Sequence, residues 1–136
     1  MKYMLDTNVC IRLLKGDSPL LLERIENIHP ENVFIPSIVR FELYYGAYKS
    51  NIKEKTLIKL SEFLNSFEVT IIDEYVAKVA GKIRAELDKQ GLPIGPYDLL
   101  IGASALVNNY ILVTHNTKEF IRIKDIKIED WESLNI

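Results

Sequence analysis

The stretch "KYMLDTNVC", residues 2–10, decides how the chain is read. Lys2 to Leu5 have strand character. The run ends at Asp6, and Thr7 and Asn8 then open a helical pattern, "TNVCIRLL". A carboxylate at the edge of a core costs on the order of several kcal/mol unless something neutralises it. Asp6 therefore needs a partner from elsewhere in the chain.

Similar short apolar runs recur as "VFI" (33–35), "EVTII" (68–72) and "YILVT" (110–114), with a weaker fifth, "IKI" (126–128). Helical patterns lie between them. "KEKTLIKLSEFLNSF" puts Leu57, Leu60, Leu64 and Phe67 on one stripe, and "YVAKVAGKIRAELDKQG" does so with Val76, Val79, Ala80, Ile83 and Leu87 before a Gly91 stop. "SIVRFELYYGA" and "PYDLLIGASALVN" are apolar almost all round and are expected to lie deep. Doubly buried strands alternating with helices indicate an α/β domain with a mostly parallel sheet of four or five strands. In such sheets sites form beyond the carboxyl ends of the strands, where Asp6 stands.

The 136 residues are expected to form one domain, 1–136, with a core large enough to stand without staples. With 48% hydrophobic and 26% charged residues the composition is that of a folded protein. A net charge of −2 argues against a general DNA-coating protein. The single Cys10 excludes a disulfide framework and a multi-Cys zinc site. No leader pattern and no membrane-length apolar run occur, so a soluble, cytoplasmic protein is expected, without membrane contact. Gly-rich phosphate loops are absent too.

Three further acids stand out. Glu42 lies among apolar neighbours in "IVRFELYYG"; Asp98 follows Pro96 in the first turn of a helix; Glu119 lies in "THNTKEF" beyond the fourth run. Each has an ordinary reading. Asp6 can cap the following helix, Asp98 can complement a helix dipole, Glu42 can pair with Arg40, and Glu119 can be surface charge. Strand ends and the following helix starts share one rim, however, and several carboxylates there repel one another by on the order of several kcal/mol. A hard divalent cation with oxygen ligands, Mg2+ or Mn2+, removes that repulsion and is equipped for phosphoryl chemistry.

"MLDTNVCIRLLKG", "SIVRFELYYGAYKS", "IRAELDKQGLPIGPYDLLIGASAL" and "ILVTHNTKEF" resemble, in order and spacing, the PIN-domain ribonucleases of the VapC toxin type. The resemblance runs over essentially the whole chain. It implies a three-layer α/β/α sandwich and a magnesium- or manganese-dependent endoribonuclease, the toxin of a type II toxin–antitoxin pair. Asp6, Glu42 and Asp98 become the metal-binding acids, with Asp6 and Asp98 as direct ligands. Many members carry Asp in the segment of the fourth acid, where this chain offers Glu119 and the uncharged Asn116. Thr7, Asn8, Thr114 and Asn116 are then groups that orient carboxylates.

The resemblance further implies water attack on the RNA phosphate, leaving a 3′-hydroxyl and a 5′-phosphate. Structured tRNA, cut near the anticodon stem-loop, is the leading substrate. A cognate antitoxin blocks the acidic pocket with an Arg or Lys and alone contacts operator DNA, and the toxin forms a homodimer within the larger complex. Arg84 leads the basic substrate contacts, ahead of Lys49, Lys53, Lys118 and Arg122. Tyr97, Tyr44 and Tyr45 offer rings to an unpaired base, with core packing the expected place for the last two. His29 reads as a loop residue and His115 as a surface one. Two rivals are a haloacid-dehalogenase-like phosphohydrolase, which needs Asp where this chain has Asn8, and a catalytically inactive PIN-like binding module.

Overall fold

The computed structural model describes residues 1–133. The apolar runs become β1 (Tyr3–Leu5), β2 (Val33–Phe34), β3 (Ile111–Val113) and β4 (Ile128–Glu129). They form one sheet in the order β2-β1-β3-β4, and every pairing is parallel. Successive strand residues point to opposite faces, yet Met4, Leu5, Ile111, Leu112 and Val113 are all buried. Both faces are therefore covered, and the covering layers are helical: α1 (Thr7–Lys15), α2 (Pro19–Glu26), α3 (Ser37–Lys49), α4 (Lys53–Asn65), α5 (Glu74–Lys89), α6 (Pro96–Asn108) and α7 (Thr117–Phe120). This is the three-layer α/β/α arrangement that the resemblance implied.

The chain leaves β1 for β2 on one side and later returns to place β3 on the other. The switch point thus lies at the carboxyl ends of β1 and β3, between Asp6 and Thr114.

The run at 68–72 does not become a strand, so the sheet has four. Glu68 makes a single parallel bridge to Phe34, and the backbone bonds Glu68 N to Val33 O (3.0 Å) and Ser37 N to Thr70 O (2.9 Å) follow the edge of the sheet. Val69 and Ile71 face solvent, so half of the run has nothing to pack on. The last strand starts at Ile128 rather than at 126, because Asp125 first turns the chain with a positive φ of 67°. α2 was not singled out in the sequence although Ser18 caps it and Pro19 opens it. α7, only four residues long, leaves no periodic signal.

Of the two helices expected to lie deep, α6 does: Leu99 and the run Ile101 to Ala105 are buried. α3 does not. It buries only the stripe Val39, Leu43 and Ala47, while Phe41, Tyr44, Tyr45 and Tyr48 are exposed, so core packing is not the place of Tyr44 and Tyr45. Aromatic composition all round a helix hides its period; burial is decided by the one side that meets α1, α4 and α6. The stripes of α4 and α5 are as read, and Gly91 takes φ 69° just beyond α5. At Gly102 a Cβ would collide with the Ile123 side chain, so this glycine lets the segment after β3 lie against α6.

Candidate functional site

The site is built from the strand ends outward. The Asp6 amide donates to the Val113 carbonyl (3.2 Å), continuing the β1 ladder by one residue before the chain turns into α1. Oδ1 of Asp6 accepts the Val9 amide at 2.8 Å, the hydrogen bond of a helix N-cap. Oδ2 accepts the hydroxyl of Thr114, buried at the neighbouring strand end. The capping role and a role at the rim are thus compatible, one oxygen serving each. Burial pushes the Asp6 carboxyl above its usual range; the Thr114 and Val9 hydrogen bonds oppose the rise, and the charges of Glu132 and Glu42 add to it.

Glu42, on α3, accepts the Thr7 hydroxyl at 2.7 Å, which ties α1 to α3 beside Asp6. It does not pair with Arg40, whose guanidinium is spent on the carbonyls of Ile35, Phe67 and Glu68. Asp98 is the third residue of α6, half-buried, with its carboxyl pushed up to about 6 by burial and then by the charges of Glu119, Asp6 and Glu42. A helix N-terminus favours a negative charge. Desolvation and three neighbouring carboxylates outweigh that here.

Glu119, on α7, accepts from Asn116 Nδ2 and from the Gly95 amide, both at 3.2 Å. These hydrogen bonds hold its carboxyl below the usual range. Asn116 thus orients the Glu119 carboxylate, and its own backbone amide donates to the Thr114 hydroxyl at 3.0 Å. The hydroxyl of Thr114 therefore joins the Asp6 and Glu119 halves of the site. Asn8 is exposed and makes no side-chain hydrogen bond to the acids, so its expected orienting role has no counterpart here.

Among the described residues none of the four acids has a Lys, Arg or His ion pair; the pairs present are Arg12 with Asp17 and Glu132, Arg24 with Glu129, His29 with Glu31, and His115 with Asp130. Glu42 raises Asp6, and Glu119, Asp6 and Glu42 together raise Asp98; of the four acids only Glu119 feels an opposite charge among the described residues, that of Arg122. Their all-oxygen character suits a hard divalent cation. They are more widely spaced than the sequence reading expects. Among the described residues the one set of three ligand atoms mutually within 4.8 Å belongs to His115, Asp130 and Glu132. That set is internally satisfied, since Arg12 pairs with Glu132 at 3.0 Å and Ser133 and the Glu132 amide donate to Asp130. Magnesium characteristically takes one or two carboxylates and several waters, which fits the looser set.

Glu132 escaped the sequence reading although its charge bears on Asp6. Only the buried Trp131 beside it hinted that the segment folds back. Arg84 and Lys118 are exposed, Lys118 next to Glu119 and Arg84 on α5 with no hydrogen bond among the described residues. Arg122 donates to the Pro93 carbonyl, and Lys49 lies over the Tyr45 ring at 4.7 Å. His29 accepts the Glu31 amide in its loop and His115 pairs with Asp130 at the surface. A cavity of about 600 Å³ lies between α1, α3 and α4, floored by Ile11, Leu14 and Leu60, with Glu42 on its lining and Lys15 and Lys59 on its rim.

A PIN-domain family model matches residues 3–126. The tRNA(fMet)-specific endonuclease VapC of Salmonella typhimurium is 42% identical over 131 residues, which cover 96% of this chain and 98% of that protein. Ribonuclease VapC2 of Rickettsia felis is 39% identical over 133 residues, covering 97% and 99%. Among solved structures, DNA-bound VapBC from Salmonella typhimurium superposes with a TM-score of 0.90 at 42% identity, over 96% of this chain and 98% of the matched one.

Proposed function

The chain belongs to the PIN-domain family, and on that ground we propose that it is a divalent-metal-dependent endoribonuclease, the toxin member of a VapBC-type toxin–antitoxin pair. PIN-domain nucleases are in general divalent-metal dependent. The observation that carries the reading is the set Asp6, Glu42, Asp98 and Glu119: four acids on one rim, joined through Asp98, which feels the charge of the other three, and none of them held in an ion pair among the described residues. The whole chain is read as one such domain, acting in the cytoplasm. No helix among the described residues is long and apolar enough to cross a membrane.

Asp6 and Asp98 are the proposed direct ligands of Mg2+ or Mn2+, with Glu42 beside them. When bound, the divalent ion lowers the pKa of the attacking water and offsets charge on the phosphodiester. The protein's part is to hold the carboxylates in place. Val9 and Thr114 fix both oxygens of Asp6, Thr7 fixes Glu42, and Asn116 with the Gly95 amide fixes Glu119. A metal-free route through two histidines has no support, since His29 and His115 are each engaged with a neighbour of their own.

The substrate we propose is structured tRNA, cut near the anticodon stem-loop to give a 3′-hydroxyl and a 5′-phosphate; the Salmonella relative is named for tRNA(fMet). The antitoxin partner is proposed to lay an apolar helix face into the groove between α1, α3 and α4 and to reach the acids with a basic side chain, contacting DNA itself. Incubating the purified chain with total tRNA tests the activity. Cleavage is expected with Mg2+ or Mn2+ and is abolished by excess EDTA; persistence in chelator, or turnover of a small phosphate ester in place of RNA, overturns the proposal.

A further inference from the structure

We propose that Phe41 and Tyr97 form an aromatic corner that holds one unpaired nucleobase next to the bond that is cut, stacked on the face of one ring and flanked by the other. The inference rests on the nuclease reading above and names two side chains that hold its substrate. Phe41 is 51% exposed and Tyr97 45% exposed, and their rings meet edge-to-face, with centroids 5.8 Å apart and planes at 77°. Phe41 immediately precedes Glu42 on α3, and Tyr97 immediately precedes Asp98 on α6. The pair thus bridges the two helices that carry two of the four acids.

Neither ring belongs to the core. α3 packs through Val39, Leu43 and Ala47, and α6 through Leu99 and the residues after it. The Tyr97 hydroxyl makes no hydrogen bond among the described residues, so its exposure does not serve a polar contact. Tyr97 is the second residue of α6, and the loop leading into that helix is braced twice: Arg122 donates to the Pro93 carbonyl, and the Gly95 amide donates to Glu119. A ring on the first turn of a helix so anchored needs little further ordering when a ligand stacks on it.

Charge supplies the reason for an aromatic grip at this place. The acids and their ion engage only the phosphate that is cut; beyond it the acidic rim gives the neighbouring phosphates no favourable contact, whereas a base is neutral and presents a π-face to an aromatic ring. Bases within a duplex have no free face, so such a platform admits only nucleotides that are unpaired or splayed out.

The test uses the purified full chain on two RNAs of the same sequence around the cut, one with the target nucleotides in a hairpin loop and one with them paired. The loop RNA is expected to be cut and the paired one spared. Phe41→Ala and Tyr97→Ala are each expected to raise KM about tenfold with kcat little changed, while Tyr97→Phe behaves as wild type. Thermal melts of each variant show whether it is folded, and Tyr97→Phe keeps the test valid if an alanine variant is not. Unchanged KM in folded alanine variants overturns the platform alone, as does equal cleavage of the paired RNA. A dimer that becomes monomeric in these variants without a change in KM also overturns it and makes the pair an interface between copies. A wild-type chain that cuts neither RNA under any divalent ion overturns the nuclease reading and the platform with it.

Discussion

Asp6 and Glu119 both follow a central strand and both receive two hydrogen bonds, yet their carboxyl groups are displaced in opposite directions. Asp6 is buried at the end of β1, fixed by the Val9 amide and by a hydroxyl 108 residues away in sequence; burial dominates and its carboxyl rises. Glu119 sits on a four-residue helix near the surface; the Asn116 and Gly95 hydrogen bonds dominate and its carboxyl falls. Water screens the second group and not the first. Asp6 is therefore in an unfavourable state that a cation relieves, whereas Glu119 is satisfied before any cation arrives. On the proposed reading, the sheet half of the site supplies the drive to bind metal, and the α7 half supplies placement.

The widest separation between the halves is expected in cleavage rates. Asp6→Asn keeps the N-cap, since Asn caps as well as Asp, and removes the charge. Metal-dependent RNA cleavage is expected to drop on the order of a thousandfold. Melting of the metal-free variant at neutral pH is expected to rise, because a buried charge facing Glu42 and Glu132 is gone. Glu119→Gln keeps an acceptor for the Gly95 amide and is expected to cost less than about tenfold. Equal losses in the two variants break the comparison.

Thr114→Val probes the atom shared by both halves. The isosteric change leaves Asp6 Oδ2 and the Asn116 amide without their partner inside the protein. Activity is expected to fall roughly 10- to 100-fold, the range for groups that orient metal ligands. Denaturant unfolding is expected to show a loss of about 1–3 kcal/mol for the unsatisfied buried groups. Thr114→Ser restores the hydroxyl and with it most of both losses.

The same division governs what could be read in the sequence. Asp6 and Asp98 were legible because each lies where a regular element ends: a strand running into an N-cap, and a helix opened by Pro96. Glu42 was legible as a charge within an apolar helix. The ambiguity between Asn116 and Glu119 could not be resolved from a segment without periodicity, because the answer is a side-chain hydrogen bond between them. Glu132 gave no signal beyond the neighbouring Trp131, since its bearing on Asp6 depends on how the chain folds back after β4. The α3 aromatics misled for another reason: composition marks them as core, and only the position of α1, α4 and α6 leaves Phe41 and Tyr45 outside. The run at 68–72 did not become a strand for want of a second packed face at Val69 and Ile71.

Asp98 gives the finest test of the division, because it stands between the halves and responds to both Glu119 and Asp6. Burial and then the charges of Glu119, Asp6 and Glu42 push its carboxyl up to about 6, against an ordinary value of 3.8. A carboxyl raised by folding favours the folded state while it is protonated in that state. Its contribution is full below about pH 4 and is lost as the pH rises through about 6. Divalent binding needs the deprotonated form, so at pH 5 the ion must displace a proton that is already absent at pH 7.5. From Asp98 alone that amounts to about tenfold weaker Mn2+ affinity at pH 5 than at pH 7.5, with proton release on binding at the lower pH. Calorimetric titration at the two pH values in buffers of different ionisation enthalpy measures both quantities. Asp98→Asn is expected to weaken binding and to remove this part of the pH dependence, leaving what Asp6 contributes. An affinity that does not change between the two pH values would mean that Asp98 stays ionised at pH 5, and that α7 and the helix N-terminus screen it from the charges across the rim.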